Sequence, residues 1–364
     1  MKKHVRRGAI LTALIMLSAM LLWGCGESNG IKMPGNPFDP NEYISEEGYS
    51  VDEPLKTIRI EDADHLTYFL PEKYRENPSY DQLREAIRQN ENLDDTVREY
   101  LNSFVDQLES AGYNIDLRPF YMNICTVKVS YVSDAEMKGI VGGGKGVFMP
   151  DQHTIYLNEE DNSVPLEFLL PHEIGHMLCN LYFDYKGYTA IRDFCVVTYG
   201  FIVEEGMDSL FADTLIGKDP IELPYRVCNN YCRVLMEATG YSFESYVNHC
   251  IYDYRDVLDQ EYANGSGVDG DTIISLLDGA TRDYRLKEYV PENYEDLDRA
   301  FSWIYFDHML SSTSSKDEVK AAYDRYQEIV DAQTANGSFM NADIVKSTMQ
   351  EVLSQKGSEV VVDF

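Results

Sequence analysis

The chain has 364 residues, of which 31 are Lys or Arg and 62 are Asp or Glu, so its formal net charge is −31 at pH 7. This acidity argues against nucleic acid and anionic surfaces as partners of the folded part, because their negative charges would repel it. It favours a soluble surface protein, and it would attract a neutral or cationic substrate.

The first 24 residues have the features of a signal peptide. Four basic residues precede an apolar run over residues 9–22, which is too short and wrongly flanked for a spanning helix. Leu22-Trp23-Gly24-Cys25 resembles the lipobox of bacterial lipoproteins. That resemblance implies cleavage before Cys25, lipidation of its sulfur and a location on the outer face of the bacterial cytoplasmic membrane. An ordinary secretory signal that ends near a cysteine is the alternative.

The rest of the chain is predicted to be a tether followed by one globular unit. Residues 25–53 contain Gly, Pro, Asn and acids without periodicity, which is typical of a flexible tether. Residues 54–364 are long enough to bury a sizeable core. They divide into an N-terminal helical part (54–124), a metal-site core (125–215) and a helical C-terminal part (216–364).

The first predicted element of the globular unit is helical and extends from about residue 62 to 120. An apolar stripe at helical spacing is typical of an amphipathic helix, and Gly112 supplies its end. The stripe consists of Val97, Tyr100, Leu101, Phe104, Val105 and Leu108.

Two strands and a glycine-rich segment are predicted next. Residues 125–132 alternate, with Val127, Val129 and Tyr131 on one side, which indicates a strand. Residues 142–146 read Gly-Gly-Gly-Lys-Gly and lack the spacing of a phosphate loop, so a flexible hairpin between two strand-like segments is favoured. The second of these strand-like segments follows the glycines.

The sequence His172-Glu173-Ile174-Gly175-His176 lies in the next predicted helix. Residues four apart share one face of a helix, so both imidazoles can point at one metal ion. Glu173 lies beside that face, where it can reach a water on the metal without being a ligand. Two nitrogen ligands, an open coordination position and a general base are what zinc-assisted hydrolysis needs. The alternative is two histidines on a polar helix face.

A third ligand is predicted on a second helix, 29 residues after His176. Glu205 lies about 200° round from Val203, on the side opposite the apolar stripe of this helix. Glu204 flanks the stripe and is the less favoured ligand, and a solvated acidic pair at a helix start is the alternative. Gly206 costs roughly 1 kcal/mol in a helix interior, so it predicts a tight helix–helix contact beside the metal. The stripe consists of Val203, Met207, Leu210, Phe211 and Leu215.

The pattern His-Glu-x-x-His, followed by Glu-Gly on a second helix, resembles the gluzincin metallopeptidases and, more narrowly, the bacterial peptidase MA-like proteins. The resemblance covers about residues 125–215. It implies Zn²⁺ held by His172, His176 and Glu205, with Glu173 as the general base. The implied fold is α+β and mostly helical, with a zincin-like small sheet, an active-site helix that carries the motif and a helical C-terminal subdomain.

The resemblance also implies two further features of the cleft. The strand at 153–158 would form its upper rim. Many gluzincins carry an acid four residues after the ligand Glu, where it orients a ligand histidine; this position is Ser209 here, with Asp208 beside it, and either could serve. A third histidine of the metzincin type is excluded, because the next histidine after His176 is His249.

Beyond residue 215 the chain is predicted to be almost wholly helical and to form the lower wall of the cleft. Ser315 and Glu318 fit a capping box, and His308 lies on an apolar helix face that favours a core position. Candidates for stabilising the oxyanion, chosen by type or proximity only, are Tyr199, His249 and His308. Up to three disulfides, or buried free thiols, are compatible with Cys125, Cys179, Cys195, Cys228, Cys232 and Cys250.

The predicted function is that of a membrane-anchored, extracytoplasmic zinc metallopeptidase that acts on a peptide or protein substrate. The first alternative is a non-catalytic surface lipoprotein with a peptidase-like fold, which binds a cell-envelope component or a partner. Glu173 argues against it, because a binding module does not need a general base. The second alternative is hydrolysis of a non-peptide amide or ester at the same metal site.

Overall fold

The computed structural model of the chain describes residues 56–59, 70–161, 164–185, 188–192, 201–217, 225–248, 257, 258, 260, 270–285, 295–331 and 340–364. It is mostly helical and contains two small three-stranded sheets, which confirms the α+β class. The predicted signal peptide, Cys25 and the predicted tether lie outside the described residues. Among the helices of the described part, none combines the length and the apolar character needed to cross a membrane.

The N-terminal part contains the helices α1 (Tyr80–Gln89), α2 (Asp95–Ala111) and α3 (Arg118–Thr126). The predicted apolar stripe is confirmed in α2, where it is buried with the exception of the half-buried Tyr100. The Asp94 side chain accepts a hydrogen bond from the Val97 N–H at the start of α2, and Gly112 ends the helix with a φ of 67°. This helix therefore begins and ends where its local sequence dictates.

The first sheet contains β2 (Lys128–Val132), β3 (Gly146–Met149) and β4 (Thr154–Asn158), in the order β2-β4-β3. Strands β2 and β4 are parallel, whereas β3 is antiparallel to β4. The predicted strand at 153–158 is thus confirmed to within one residue.

The strand predicted from residue 125 begins only at Lys128, because α3 continues to Thr126. Pro119 lies in the first turn of α3, where its fixed φ favours a helix. The Asn123 side chain then fixes α3 to its neighbour by donating to the carbonyl oxygens of Met177 and Asn180.

The hairpin predicted around the glycine-rich segment is wrong, because the residues before it form a helix, α4 (Asp134–Val141). Ser133 and Glu136 make a reciprocal capping box at its start, and Gly142 ends it with a φ of 81°. The glycines therefore connect a helix to β3.

The second sheet follows, in the chain, the helix that carries the two motif histidines, α5 (Leu166–Cys179). That helix is followed at once by β5 (Leu181–Tyr185), which is antiparallel to β6 (Tyr188–Arg192). The first described strand, β1 (Lys56–Arg59), adds to β6 in parallel. A small apolar cluster of Leu70, Tyr74, Met122, Leu181 and Phe183 packs near this sheet.

The remaining elements are the helices α6 (Phe201–Leu215), α7 (Arg226–Thr239), α8 (Gly270–Arg285), α9 (Glu295–Met309), α10 (Lys316–Asp331) and α11 (Ala342–Gln355). One apolar core joins the helices α1 to α3 and α5 to α11. The predicted capping box of Ser315 and Glu318 is present at the start of α10. The prediction that His308 is a core residue is wrong, because the last turn of α9 is exposed from Asp307 to Met309.

Gly206 explains how closely α6 and α7 approach each other. A Cβ at this position would lie 2.8 Å from the Sγ of Cys228 and 2.9 Å from its Cβ, so no larger residue fits without a shift of α7. The tight helix–helix contact predicted for Gly206 is therefore confirmed. It places the first residues of α7 next to the part of α6 that carries Glu205.

Candidate metal centre

Three side chains from α5 and α6 converge at the predicted metal site. The His172 Nε2 lies 3.1 Å from the Glu205 Oε2 and 3.3 Å from the His176 Nε2. The His176 Nε2 lies 3.7 Å from the same Glu205 oxygen. Among the residues that the structure describes, this is the one group of three or more His, Cys, Asp or Glu residues whose ligand atoms converge in this way.

The spacing of these three atoms fits a zinc ion. Ligand atoms about 2.0–2.2 Å from a tetrahedral zinc lie roughly 3.3–3.6 Å from one another. The three observed separations of 3.1, 3.3 and 3.7 Å bracket that range. Two imidazole nitrogens and one carboxylate oxygen are also a donor set that zinc accepts at sites with a fourth position open. His172, His176 and Glu205 can therefore hold zinc with small adjustments.

Local helix geometry explains why the three side chains meet. His172 and His176 are one helical turn apart on α5, and Pro171 precedes them without interrupting the helix. Helix α6 packs against α5 and presents Glu205, which is buried. The side chain of Glu204 lies outside the described residues, so Glu205 is the member of the acidic pair that the structure places at the site.

Asp208, rather than Ser209, contacts a predicted ligand. The Asp208 Oδ2 lies 2.5 Å from the Nδ1 of His176, on the side of the ring opposite the converging nitrogen. A carboxylate at this place fixes the orientation of a ligand imidazole and increases its basicity. Ser209 is buried as well, but its Oγ meets no hydrogen-bond partner among the described residues.

The charges of the site are strongly coupled. Burial would lower the pKa of His176, but Asp208 and Glu205 outweigh it and raise the pKa well above its usual value. Burial would raise the pKa of Glu205, but His176 and His172 hold it well below its usual value. The pKa of His172 is raised too, because its contact with Glu205 outweighs burial. Without a metal, these contacts favour the protonated forms of the two histidines and the ionised form of Glu205.

Glu173 lies in a different environment from the three converging side chains. It is only 3% exposed, and burial raises the pKa of its carboxyl group. The backbone N–H of Phe148, in β3, donates a hydrogen bond to it and partly opposes that shift. A raised pKa near the working pH is what a general base requires.

The strand beside the site is β3 rather than the predicted strand at 153–158. Helix α5 packs against β3, which is an edge strand of the sheet, and β4 is the next strand inward. The prediction that residues 153–158 form the upper rim of the cleft is therefore wrong. The rim nearest to Glu173 is formed by Gly146 and Phe148.

One aromatic residue at the site was not predicted from the sequence. The Tyr225 ring stacks on the His172 ring, with centroids 6.0 Å apart and planes 19° apart. Tyr225 immediately precedes α7, and no pattern in the sequence around it indicated that it would reach His172. Of the predicted oxyanion candidates, Tyr199 and His249 lie outside the described residues, and His308 is in the exposed last turn of α9.

Of the six cysteines for which disulfides or free thiols were predicted, four lie among the described residues. No disulfide joins the described cysteines, which are Cys125, Cys179, Cys228 and Cys232. The Cys179 Sγ lies 3.9 Å from the Asp208 Oδ1, so a thiol borders the carboxylate that contacts His176. Cys195 and Cys250 lie outside the described residues.

Comparison with known proteins gave no match to this chain, whether with protein-family models, with curated proteins or with solved structures.

Proposed function

We propose that this protein is a zinc metallopeptidase of the gluzincin type, with a zincin-like arrangement of α5, α6 and β3. The observation that carries the proposal is the convergence of His172, His176 and Glu205 at separations that fit zinc. Glu173, a buried carboxyl group on the same helix turn, supports a hydrolytic role over simple metal storage. The resemblance of the motif to gluzincins points in the same direction.

In this proposal His172, His176 and Glu205 hold the metal, and Asp208 keeps the His176 ring in its binding orientation. Zinc bound there would polarise the scissile carbonyl and lower the pKa of a coordinated water towards neutrality.

Glu173 is the proposed general base. It takes a proton from the attacking water and passes it to the leaving amine. Burial raises the pKa of its carboxyl group, which makes it a better proton acceptor. The hydrogen bond from the Phe148 N–H keeps its carboxylate at the edge of β3.

Two other functions are compatible with parts of the site. A surface lipoprotein that only binds a cell-envelope component or a partner would account for the fold and the metal ligands. It gives no reason to bury a carboxyl group beside them, at a cost in desolvation. Hydrolysis of a non-peptide amide or ester would use the same groups as peptide hydrolysis.

We propose that the protein acts outside the cell, on the outer face of the bacterial cytoplasmic membrane, with a lipid anchor at Cys25. The support is the series of basic residues, apolar run and Leu-Trp-Gly-Cys in the sequence. Replacement of Cys25 by Ala should block processing or release the protein from membranes. Unchanged membrane retention and electrophoretic mobility would contradict lipid attachment there.

The central test is the metal content of the purified domain, measured together with the hydrolysis of an unfolded polypeptide. We expect one zinc per chain, and cleavage that a chelator abolishes and added zinc restores. His176→Ala should lose both zinc and cleavage, and Glu205→Ala should lose more zinc than Glu204→Ala. Full zinc retention in His176→Ala would refute the site. Stoichiometric zinc without any cleavage would favour the binding lipoprotein, and cleavage only of a small ester or amide would favour the non-peptide hydrolase.

A further inference from the structure

Gly146, in β3, lies close to the Glu173 carboxyl group. A Cβ built on Gly146 would lie 2.8 Å from the Glu173 Oε1 and 2.9 Å from the Leu169 Cδ1. Both distances are shorter than real Cβ contacts, so any other residue requires these two side chains to move. The glycine therefore leaves the space that the Glu173 carboxyl group occupies.

Glycine is needed at position 146 because a side chain there would collide with its neighbours, and not because of its φ angle. Gly142, Gly143 and Gly144 have φ values of 81°, 122° and 141°, which disfavour other residues. Gly146 is not among the glycines with positive φ, so an alanine can adopt its backbone conformation. What an alanine adds is one methyl group against Glu173 and Leu169.

Strand pairing fixes the position of Gly146. The carbonyl oxygen of Lys145 accepts a hydrogen bond from the Asn158 N–H, so the backbone at residue 145 faces β4. Two residues after Gly146, the Phe148 N–H points the other way and donates to Glu173. Glu173 thus meets β3 at two residues. The Phe148 N–H donates a hydrogen bond to its carboxyl group, and Gly146 leaves room for that group.

We propose that Gly146 is a positioning residue for Glu173, because its missing side chain lets β3 approach α5 closely enough to hold the carboxyl group at the strand edge. This inference rests on the proposed hydrolytic function, in which Glu173 must be placed accurately. An error of about 1 Å in a catalytic group can lower a rate by about a hundredfold. The three atoms nearest to a Cβ at Gly146 belong to Glu173 and Leu169 and not to a proposed metal ligand, so the ligands should tolerate its replacement.

The first test is Gly146→Ala with Gly139→Ala as the matched control. Gly139 lies inside α4, and a Cβ there would meet no atom within 4 Å. With a peptide that the wild type cleaves, we expect Gly146→Ala to keep one zinc per chain and to lose about tenfold or more in kcat, with a smaller change in KM. Gly139→Ala should keep wild-type kinetics and a slightly higher Tm.

Two results of this test would overturn the proposal. One is a kcat for Gly146→Ala equal to that of Gly139→Ala. The other is a loss of zinc in proportion to the loss of kcat, because the added methyl would then act on the metal ligands. Should Gly146→Ala fail to fold, the double variant Gly146→Ala, Leu169→Ala removes the second close contact and leaves Glu173 as the group that must move.

The second test needs no activity and separates this inference from the proposed function. Gly146→Ala is made in the wild type and in Glu173→Ala, and Tm is measured for all four proteins. We expect a smaller loss of Tm in the Glu173→Ala background, because the carboxyl group that the methyl meets is gone. Equal losses in both backgrounds would overturn the proposed contact. Coupled losses in a protein without hydrolytic activity would keep the contact and refute the peptidase function.

Discussion

Two of the regions that bury carboxylates in the described part of this molecule surround them with different partners. Around α5 and α6, Glu173, Glu205 and Asp208 are 3%, 9% and 1% exposed, and the charged groups that contact Glu205 and Asp208 are imidazoles. In α9, Asp298 is completely buried, but its oxygens accept hydrogen bonds from the Tyr231 hydroxyl and the Asn341 N–H. In the first region, titratable side chains converge on one site. In the second region, Asp298 links three helices by hydrogen bonds.

The difference separates a structural buried acid from a functional one. The two donors to Asp298, a hydroxyl and a backbone N–H, are neutral groups, so these two hydrogen bonds serve the packing of the helices. The groups of α5 and α6 shift one another's pKa values in opposite directions, which is an arrangement that favours proton exchange or cation binding. Changes in the first region should therefore alter activity and metal binding, and changes in the second should alter stability alone.

The largest effect is expected from Glu173→Gln. This change keeps the shape of the side chain and removes the base, so kcat should fall by about 10²–10⁴-fold while zinc content and Tm stay near those of the wild type. Measurement of peptide cleavage, zinc and thermal unfolding on one preparation checks it. Equal activity of the two proteins would mean that Glu173 is not the base.

The next effect is expected from Asp208→Asn, with Ser209→Ala as its control. Loss of the charge beside the Nδ1 of His176 should weaken zinc affinity by about 10–100-fold, as measured by competition with a chelator. Ser209→Ala should change affinity little, because the Ser209 Oγ has no hydrogen-bond partner among the described residues. The reverse order of losses would assign the orienting role to Ser209.

Asp298→Ala should have an effect on stability alone. It leaves the Tyr231 hydroxyl and the Asn341 N–H without this acceptor, which should cost about 1–3 kcal/mol in the free energy of unfolding. Denaturant unfolding at pH 7 measures the loss, and zinc affinity should not change. A loss of zinc affinity as large as that of Asp208→Asn would erase the distinction between the two regions.

The smallest effect concerns pH and the metal-free site. The raised pKa values of His172 and His176 favour their protonated forms in the metal-free chain, whereas zinc binds the neutral rings. Zinc binding should therefore release protons, and zinc affinity should fall as the pH falls. Calorimetry in buffers of different ionisation enthalpy measures the release.

The same shift has a consequence for stability, with a defined sign. The raised pKa of His176 stabilises the metal-free fold fully below the unfolded value of about 6.5, and this contribution is lost as the pH rises through the folded pKa. The lowered pKa of Glu205 acts in the opposite sense, and its contribution is lost as the pH falls through the folded pKa. A metal-free protein whose stability does not change between pH 6 and 9 would contradict the coupling.

Local patterns in the sequence predicted much of this molecule. The stripe of α2 with Gly112, the motif turn on α5 and the close contact at Gly206 follow from residues near one another in the chain. The helix α4 was also within reach, because Ser133 and Glu136 form a capping box that the glycine-rich segment after it obscured.

Features that depend on distant parts of the chain were not predictable in this way. Nothing local indicates that β3 rather than β4 lies against α5, since both are short apolar segments. The continuation of α3 to Thr126 depends on the bonds from Asn123 to the chain after α5. Tyr225 reaches His172 only because α7 packs on Gly206, so neither its spacing nor its neighbours in sequence identify it.

The parallel pairing of β1 with β6 marks where the predicted tether joins the folded part, and so limits how far the proposed anchored enzyme could lie from the membrane. The stretch from Cys25 to Lys56 comprises 31 residue steps, which span at most roughly 100–110 Å when fully extended. The tether ends at β1. This strand belongs to the same small sheet as β5, which follows the helix with the proposed metal ligands. A lipid at Cys25 would therefore confine hydrolysis to polypeptides within this distance of the membrane surface. A longer tether would increase that distance without changing the residues of the metal site.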